Sequence, residues 1–295
     1  MLIVSCSHGR HLGTLITKKL KNFYKSNASH TFLATSKFPD GELHVRFERS
    51  LKKETVVLVQ SFYKEINDCI VEAVLAAKTA AQLGAKKLIL VAPYFPYLRQ
   101  DKRFHAGEAI SQNIVGSLVG AYFDEVYVID PHLHRTRSLE RIFKIKVVKL
   151  TSNPLIVNYI KKNIKNPVII GPDEESYKWA RHVADSIGAE SRILRKKRYS
   201  SYHVEVRLNK KINLNGRNAV IVDDIVSTGH TILETAKILK KLKARSVYCI
   251  CVHGIFVGDS LNKLKKAGIK IISANTIPNK MAKIDVSEII AKSLV

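Results

Sequence analysis

Four cysteines, no long apolar run and a shortage of acidic side chains set the first limits on this chain of 295 residues. Cys6, Cys69, Cys249 and Cys251 are scattered and form no C-x-x-C pair. They read as reduced, mostly core residues of a cytoplasmic protein rather than a disulfide framework. No stretch approaches the ~20 apolar residues of a membrane span. The opening MLIVSCSHGR turns polar too soon for the apolar region of a signal peptide. Acidic residues number 25 against 49 Lys and Arg, a net charge of +24. Such an excess suits a nucleic-acid surface, the attraction of phosphorylated small molecules, or a solvated surface. The lysines are spread in helix-like runs such as KKLKNFYK, and no basic segment is interleaved with stacking aromatics. A solvated surface that also steers phosphorylated substrates is the favoured reading, and nucleic acid the disfavoured one.

Hydrophobic residues make up 46% of the chain, enough for one large core or two ordinary ones, and two domains is the better expectation. Strand-like runs at Leu2–Ser5, Val56–Gln60, Leu88–Ala92, Val126–Ile129, Val168–Ile170, Val220–Asp223, Val247–Val252 and Lys270–Ser273 alternate with helix-like segments. The pattern predicts an α/β protein with parallel sheets flanked by helices. TVVLVQ, a loop and IVEAVLAAKTAAQLGAKKLILVAPYF echo AVIVDDIVSTGHTILETAKILKKLKARSVYCICVHGIF, so the halves read as two copies of one βαβ-based domain. The expected division is 1–145 and 146–295. Asp285 and Glu288 have capping-box spacing and predict a final helix, which could pack back on the first domain.

The richest segment is AVIVDDIVSTGHTI, Ala219 to Ile232. Its β-branched run predicts a buried strand ending at Asp223 and Asp224. Ser227, Thr228, Gly229, His230 and Thr231 then lead into a helix. A small-residue turn at a helix N-terminus offers backbone N–H groups and hydroxyls to a phosphate monoester. The adjacent carboxylates suit sugar hydroxyls or Mg²⁺. No Gly-Lys-Ser/Thr follows, so this is not a Walker loop. A second segment, APYFPYLRQDKRFHAGEAIS (Ala92 to Ser111), leaves the C-terminal end of a strand, where α/β sheets bind ligands. Its arginines suit phosphate groups.

Asp-Asp followed by a turn ending Thr-Gly-x-Thr resembles the ribose-phosphate loop of type I phosphoribosyltransferases and ribose-phosphate pyrophosphokinases. The Phe-Pro-Tyr-x-Arg-Gln-Asp run is similar to a signature of the pyrophosphokinases, and further matches follow in order. KFPDGELHVR resembles their loop reaching the ATP adenine, often across a subunit interface, carried here by Phe38, Asp40 and Glu42. QSFYKEINDCIVE resembles a Gln-Ser … Asn-Asp … Glu stretch. VIDPHLH resembles the metal region, with Asp130 and His132 in register and His134 as the neighbouring alternative. GPDEES resembles a Ser/Gly-Pro-Asp turn with Asp173 in place. LRKKRYS resembles the mobile catalytic loop, with Lys196 and Arg198. His230 replaces a common Gly, Ser227 a common Asp, and Glu174-Glu175-Ser176 a small Gly-containing turn.

The resemblance implies two tandem phosphoribosyltransferase-like domains. The implied activity is transfer of the diphosphoryl group of ATP to ribose 5-phosphate, giving 5-phosphoribosyl 1-diphosphate and AMP. It implies ATP contacts from Phe38, Asp40, Glu42, Arg99, Gln100, Asp101, Arg103 and His105. Ribose 5-phosphate would lie on Asp223, Asp224, Ser227, Thr228, Gly229, His230 and Thr231. Mg²⁺ would be positioned by His132 and Asp173, and Lys196 and Arg198 would act in catalysis. A homo-oligomer, a dimer or larger with a shared adenine site, is implied as well. A phosphoribosyltransferase and a non-catalytic regulatory relative are the alternatives.

Overall fold

The computed structural model describes residues 1–133, 138–198, 204–208 and 212–295, with backbone alone for residues 174, 175, 178, 195–198 and 204–208. Two compact units emerge. One holds residues 1–151, 276–278 and 286–295, and the other residues 152–275 and 279–285.

The first unit contains β1 (Leu2–Ser5), α1 (Arg10–Tyr24), β2 (Ser29–Phe32), β3 (Ala34–Lys37), β4 (Leu43–Arg46) and β5 (Thr55–Val59). It continues with α2 (Ile66–Gln82), β6 (Lys87–Ala92), α3 (Ser111–Gly120), β7 (Glu125–Ile129), α4 (Glu140–Phe143) and β8 (Lys146–Leu150). Its main sheet has the order β2-β1-β5-β6-β7-β8, parallel throughout. β3 and β4 form a separate antiparallel ribbon. Val4, Leu58, Leu90 and Val126 bring the central strands into one core, completed by Ala73, Ala76, Ala77 and Ala80 of α2. That alanine stripe at helical spacing lets α2 lie close to the sheet. Each buried Leu or Val contributes about 1.5–3 kcal/mol relative to exposure.

The second unit contains α5 (Asn153–Asn163), β9 (Pro167–Gly171), α6 (Glu174–Ile187), β10 (Glu190–Arg198), β11 (Val204–Leu208) and β12 (Asn218–Val226). After these come α7 (His230–Lys241), β13 (Ser246–Gly254), α8 (Ser260–Lys266), β14 (Ile269–Ala274) and β15 (Ala282–Ile284). The sheet order is β11-β10-β9-β12-β13-β14-β15, parallel except for the β10–β11 pair. Its core joins Ile170, Ile221 and Cys249 to Ile232, Ala236 and Leu239 on the inner face of α7. The alternation of strands and helices thus gives the parallel sheets that it predicts. The repeat is also visible: β5-α2-β6 and β12-α7-β13 occupy matching places in their two sheets.

The last helix, α9 (Ser287–Ser293), belongs to the first unit and packs against α1, with Ile290 and Ala291 buried and Lys19 paired to Glu288 at 2.9 Å. Its start corrects the expected capping box. Val286 is the N-cap and no side chain caps the helix. Glu288 is turned to Lys19, and Asp285 Oδ1 accepts from Asn275 Nδ2 at 2.8 Å. All four cysteines are buried and unbridged. Among the described residues no helix is long and apolar enough to cross a membrane.

Candidate active site

In the second unit the chain runs from β9 outward to β10 and β11 on one side, then from β12 to β15 on the other. The crevice at the carboxyl ends of β9 and β12 is therefore a topological switch point, where open α/β sheets bind ligands. Asp223 and Asp224 stand there. The strand does not stop at them, since β12 continues to Val226 and Asp223 pairs with Cys251 of β13. The Asp224 N–H donates to Asp223 Oδ1 at 3.0 Å. Burial, then the charges of Asp224 and Asp173, push the Asp223 carboxyl well above its ordinary range. The charges of Asp224 and Asp173 thus act with burial to favour the protonated form of Asp223.

The turn after β12 is short: the strand ends at Val226 and α7 begins at His230, directly after Gly229. Gly229 has φ of +74° and caps α7 in the left-handed conformation. A Cβ there would also meet Leu264 Cδ1 at 3.0 Å. The positive φ favours glycine, and any Cβ would press on the Leu264 side chain. The first helical bond runs from the Leu233 N–H to the Gly229 carbonyl at 2.9 Å. Helix geometry leaves the earlier N–H groups, those of His230, Thr231 and Ile232, without intrahelical acceptors. Thr228 and His230 are exposed, Ser227 and Thr231 partly so, and the first turn carries no acidic residue. These groups surround a place for an anion beside the carboxylates.

Asp173 follows β9 and caps α6. Its Oδ1 accepts from the Ser176 N–H at 2.9 Å, and the Asp173 N–H donates to Ser176 Oγ at 3.3 Å. Glu174 and Glu175 form the first turn of α6. The backbone of Lys196 and Arg198 lies on β10, opposite Val206 and Val204 of β11.

In the first unit Phe38, Asp40 and Glu42 sit at the tip of the β3–β4 hairpin, all exposed. The Phe38 N–H donates to the Glu42 carbonyl at 2.8 Å, and the Glu42 N–H to Asp40 Oδ1 at 3.2 Å. Arg99, Gln100, Asp101, Arg103 and His105 occupy the segment between β6 and α3, with Arg99, Arg103 and His105 exposed. Gln100 Oε1 accepts from Ser111 Oγ at 2.5 Å. Glu108, which the motif alone does not single out, shapes this loop. Its carboxylate accepts from the Phe104 and His105 N–H groups at 2.8 and 3.2 Å, and its carbonyl from Arg103 Nε at 2.8 Å.

His132 is partly buried just beyond β7 in the first unit, whereas Asp173 belongs to the second. His134 lies outside the described residues. Among the described residues no group of three or more His, Cys, Asp or Glu is placed to hold a metal ion.

A cluster that sequence reasoning did not assemble lies at the switch point of the first unit. Glu72, 2% exposed on α2, accepts from the Ser7 N–H at 2.9 Å, Gln60 Nε2 at 2.8 Å and Thr35 Oγ1 at 2.8 Å, and from the Ser7 hydroxyl. Gly9 lies so close to β5 that a Cβ would sit 1.7 Å from the Val59 carbonyl oxygen. A cleft of about 320 Å³ opens beside this cluster, with Lys37 paired to Asp68 at its rim. The Gln-Ser … Asn-Asp … Glu motif held part of the signal; the partners Ser7 and Thr35 come from the loop after β1 and from the β3–β4 ribbon.

Residues 1–122 match the N-terminal domain of ribose phosphate pyrophosphokinase, and residues 138–288 match the phosphoribosyl transferase domain. The ribose-phosphate pyrophosphokinase of Pyrococcus abyssi is 36% identical over 87% of this chain and 88% of its own. That of Methanopyrus kandleri is 31% identical over 100% of this chain and 98% of its own. The chain belongs to the ribose-phosphate pyrophosphokinase family. The fold agrees: phosphoribosylpyrophosphate synthetase from Mycobacterium smegmatis superposes with a TM-score of 0.86 over 99% of this chain and 97% of that one, at 23% identity. Both units of this pyrophosphokinase-family chain are phosphoribosyltransferase-like α/β domains, as the motifs predict.

Proposed function

We propose that this chain is a ribose-phosphate diphosphokinase, which transfers the β,γ-diphosphoryl group of ATP to the C1 hydroxyl of ribose 5-phosphate. The observation that carries the proposal is the join of Asp223 and Asp224 to the Gly229-capped turn of α7, in a chain that matches its pyrophosphokinase relatives over nearly its whole length.

Each group has a task in that reaction. The turn Ser227–Thr231 holds the 5-phosphate through hydroxyls and first-turn N–H groups. Asp223 and Asp224 hold the ribose hydroxyls and so aim C1. Phe38, Asp40 and Glu42 contact the adenine, while Arg99, Gln100, Asp101, Arg103 and His105 hold the nucleotide. The C1 oxygen attacks the β-phosphorus, the bond from that phosphorus to the α-phosphate oxygen breaks, AMP leaves and the hydroxyl proton passes to solvent. Lys196 and Arg198 meet the charge on the transferring group, the main task in phosphoryl chemistry.

Asp223, Asp224 and Asp173 offer the carboxylate oxygens that Mg²⁺, a hard cation, takes as ligands, although among the described residues they are not gathered into a ready-made metal cluster. Bound Mg²⁺ would offset phosphate charge, with His132 and Asp173 helping to position it. The active form is a homo-oligomer, a dimer or larger with adenine sites shared between subunits, working in the cytoplasm. ATP labelled at the β-phosphate tests the proposal: the label should appear in the sugar product, with AMP unlabelled. Label retained in ATP, with unlabelled pyrophosphate released from added 5-phosphoribosyl 1-diphosphate and a nucleobase, would favour a phosphoribosyltransferase instead.

A further inference from the structure

We propose that Glu72 is a positioning residue for the adenine-contacting hairpin β3–β4. The cluster that holds it occupies the part of the first unit where the second unit has its acid crevice.

The two sheets have the same register at their switch points. Val4 pairs with Leu58 in the first unit, and Ile170 with Ile221 in the second. Counting onward, Gln60 stands where Asp223 stands, and Ser7 where Asp173 stands. In the second unit these places hold carboxyls that crowd one another. In the first they hold neutral side chains, both hydrogen-bonded to the Glu72 carboxylate. That carboxylate is almost fully buried, and its two oxygens take four hydrogen bonds. A buried carboxylate so satisfied is rigid, because losing any donor leaves charge without compensation.

Three of the four donors tie the β1 loop and the end of β5. The fourth is Thr35 on β3, at 2.8 Å. Thr35 stands three residues before Phe38, and between them Lys37 pairs with Asp68 on the first turn of α2. Apart from these polar ties the ribbon is separate from the main sheet, although Val45 and Phe47 pack on the core. Lys37 and Asp68 are 44% and 43% exposed, so solvent screens that pair. The Thr35–Glu72 bond, part-buried and anchored on a buried carboxylate, is the polar link that fixes the hairpin's direction as it leaves the core. The consequence for ATP rests on the reading above that Phe38, Asp40 and Glu42 contact the adenine.

Glu72 also holds Ser7 and Gln60, so the cleaner test removes its partner on the hairpin. Thr35→Val keeps shape and β preference but deletes the donor, and Thr35→Ser restores it. Hydrogen exchange in the free oligomer should quicken roughly fivefold at the Phe38 and Gly41 amides, the scale of one net hydrogen bond. KM for ATP should rise by a similar factor, KM for ribose 5-phosphate should stay within about twofold, and Thr35→Ser should return both readouts toward wild type. Unchanged exchange in the hairpin would overturn the positioning role. Faster exchange with an unchanged KM for ATP would leave Glu72 as the hairpin's anchor and overturn the hairpin's role at the adenine. A rise in both Michaelis constants with a lowered Tm would mark Thr35 as merely structural and overturn the proposal.

Discussion

Gln60 and Asp223 hold equivalent places in their two sheets, each two residues beyond a strand position paired to the neighbouring first strand of its unit. Gln60 is fully buried and bonded at both ends of its amide, Oε1 accepting from the His8 N–H at 2.9 Å and Nε2 donating to Glu72 at 2.8 Å. Asp223 sits among other carboxyls and is pushed toward its protonated form. One copy of the fold has placed neutral donors at these positions, tied to a single buried carboxylate, and the other has kept paired acids suited to a cation or a sugar hydroxyl.

The Asp223 environment makes stability depend on pH. A carboxyl whose pKa is raised on folding stabilises the protein fully below its unfolded value, near 3.8, and loses that contribution as pH rises through the folded value. Without metal, Asp223→Asn should therefore be more stable than wild type at pH 7–8, with the difference vanishing below about pH 4. Mg²⁺ should raise the wild-type Tm more than that of the variant. In the assay Asp223→Asn should impair use of ribose 5-phosphate more than use of ATP. Identical pH–stability curves would show that the carboxyl is not strained.

Removing a single cation from the transferring group should be felt mainly in turnover. Lys196→Ala should lower kcat by at least ~10²-fold, the scale for one transition-state charge partner. Near-normal turnover in that variant would remove Lys196 from the mechanism.

Gly229 is constrained twice, by φ of +74° and by Leu264. Gly229→Ala should cost about 1–2 kcal/mol of stability. It should also raise KM for ribose 5-phosphate, because the turn that presents the first N–H groups of α7 must move. Thermal melts and substrate titrations read the two effects separately.

Glu125 offers a control away from the site. Burial pushes its carboxyl up, but hydrogen bonds from Lys87, Lys146 and the Tyr127 hydroxyl outweigh it and hold it at about 2. Stability from a depressed carboxyl is present above its ordinary 4.5 and lost as pH falls toward 2. Glu125→Gln should destabilise by about 2 kcal/mol at pH 7, less than the shift alone implies because both lysines are partly exposed. The deficit should disappear near pH 2, and denaturant titrations at several pH values would measure it.

Much of this was legible because parallel sheets write themselves into sequence. Buried runs such as Val220–Val222 have no polar alternation to blur them. Gly229, Asp223 and Asp224 were legible as a set, since a phosphate turn needs small residues and acids in fixed order. The β3–β4 ribbon is not legible as strands, because its residues are half or fully exposed and its loop resembles any polar turn. The end of β12 was misplaced at Asp223 because acidic residues usually close a strand, whereas here β13 continues the pairing as far as Gly254. The capping box at Asp285 failed because Glu288 has a better partner in Lys19, 269 residues away in sequence. Glu72 was visible only as part of a motif, since its partners come from three separate segments.

The central claim is diphosphoryl transfer, and its most direct measurement is the joint appearance of AMP and 5-phosphoribosyl 1-diphosphate from ATP, Mg²⁺ and ribose 5-phosphate. Equal amounts of both, produced only when ribose 5-phosphate is present, are the predicted result. A folded protein that binds ATP yet forms neither product would contradict the claim.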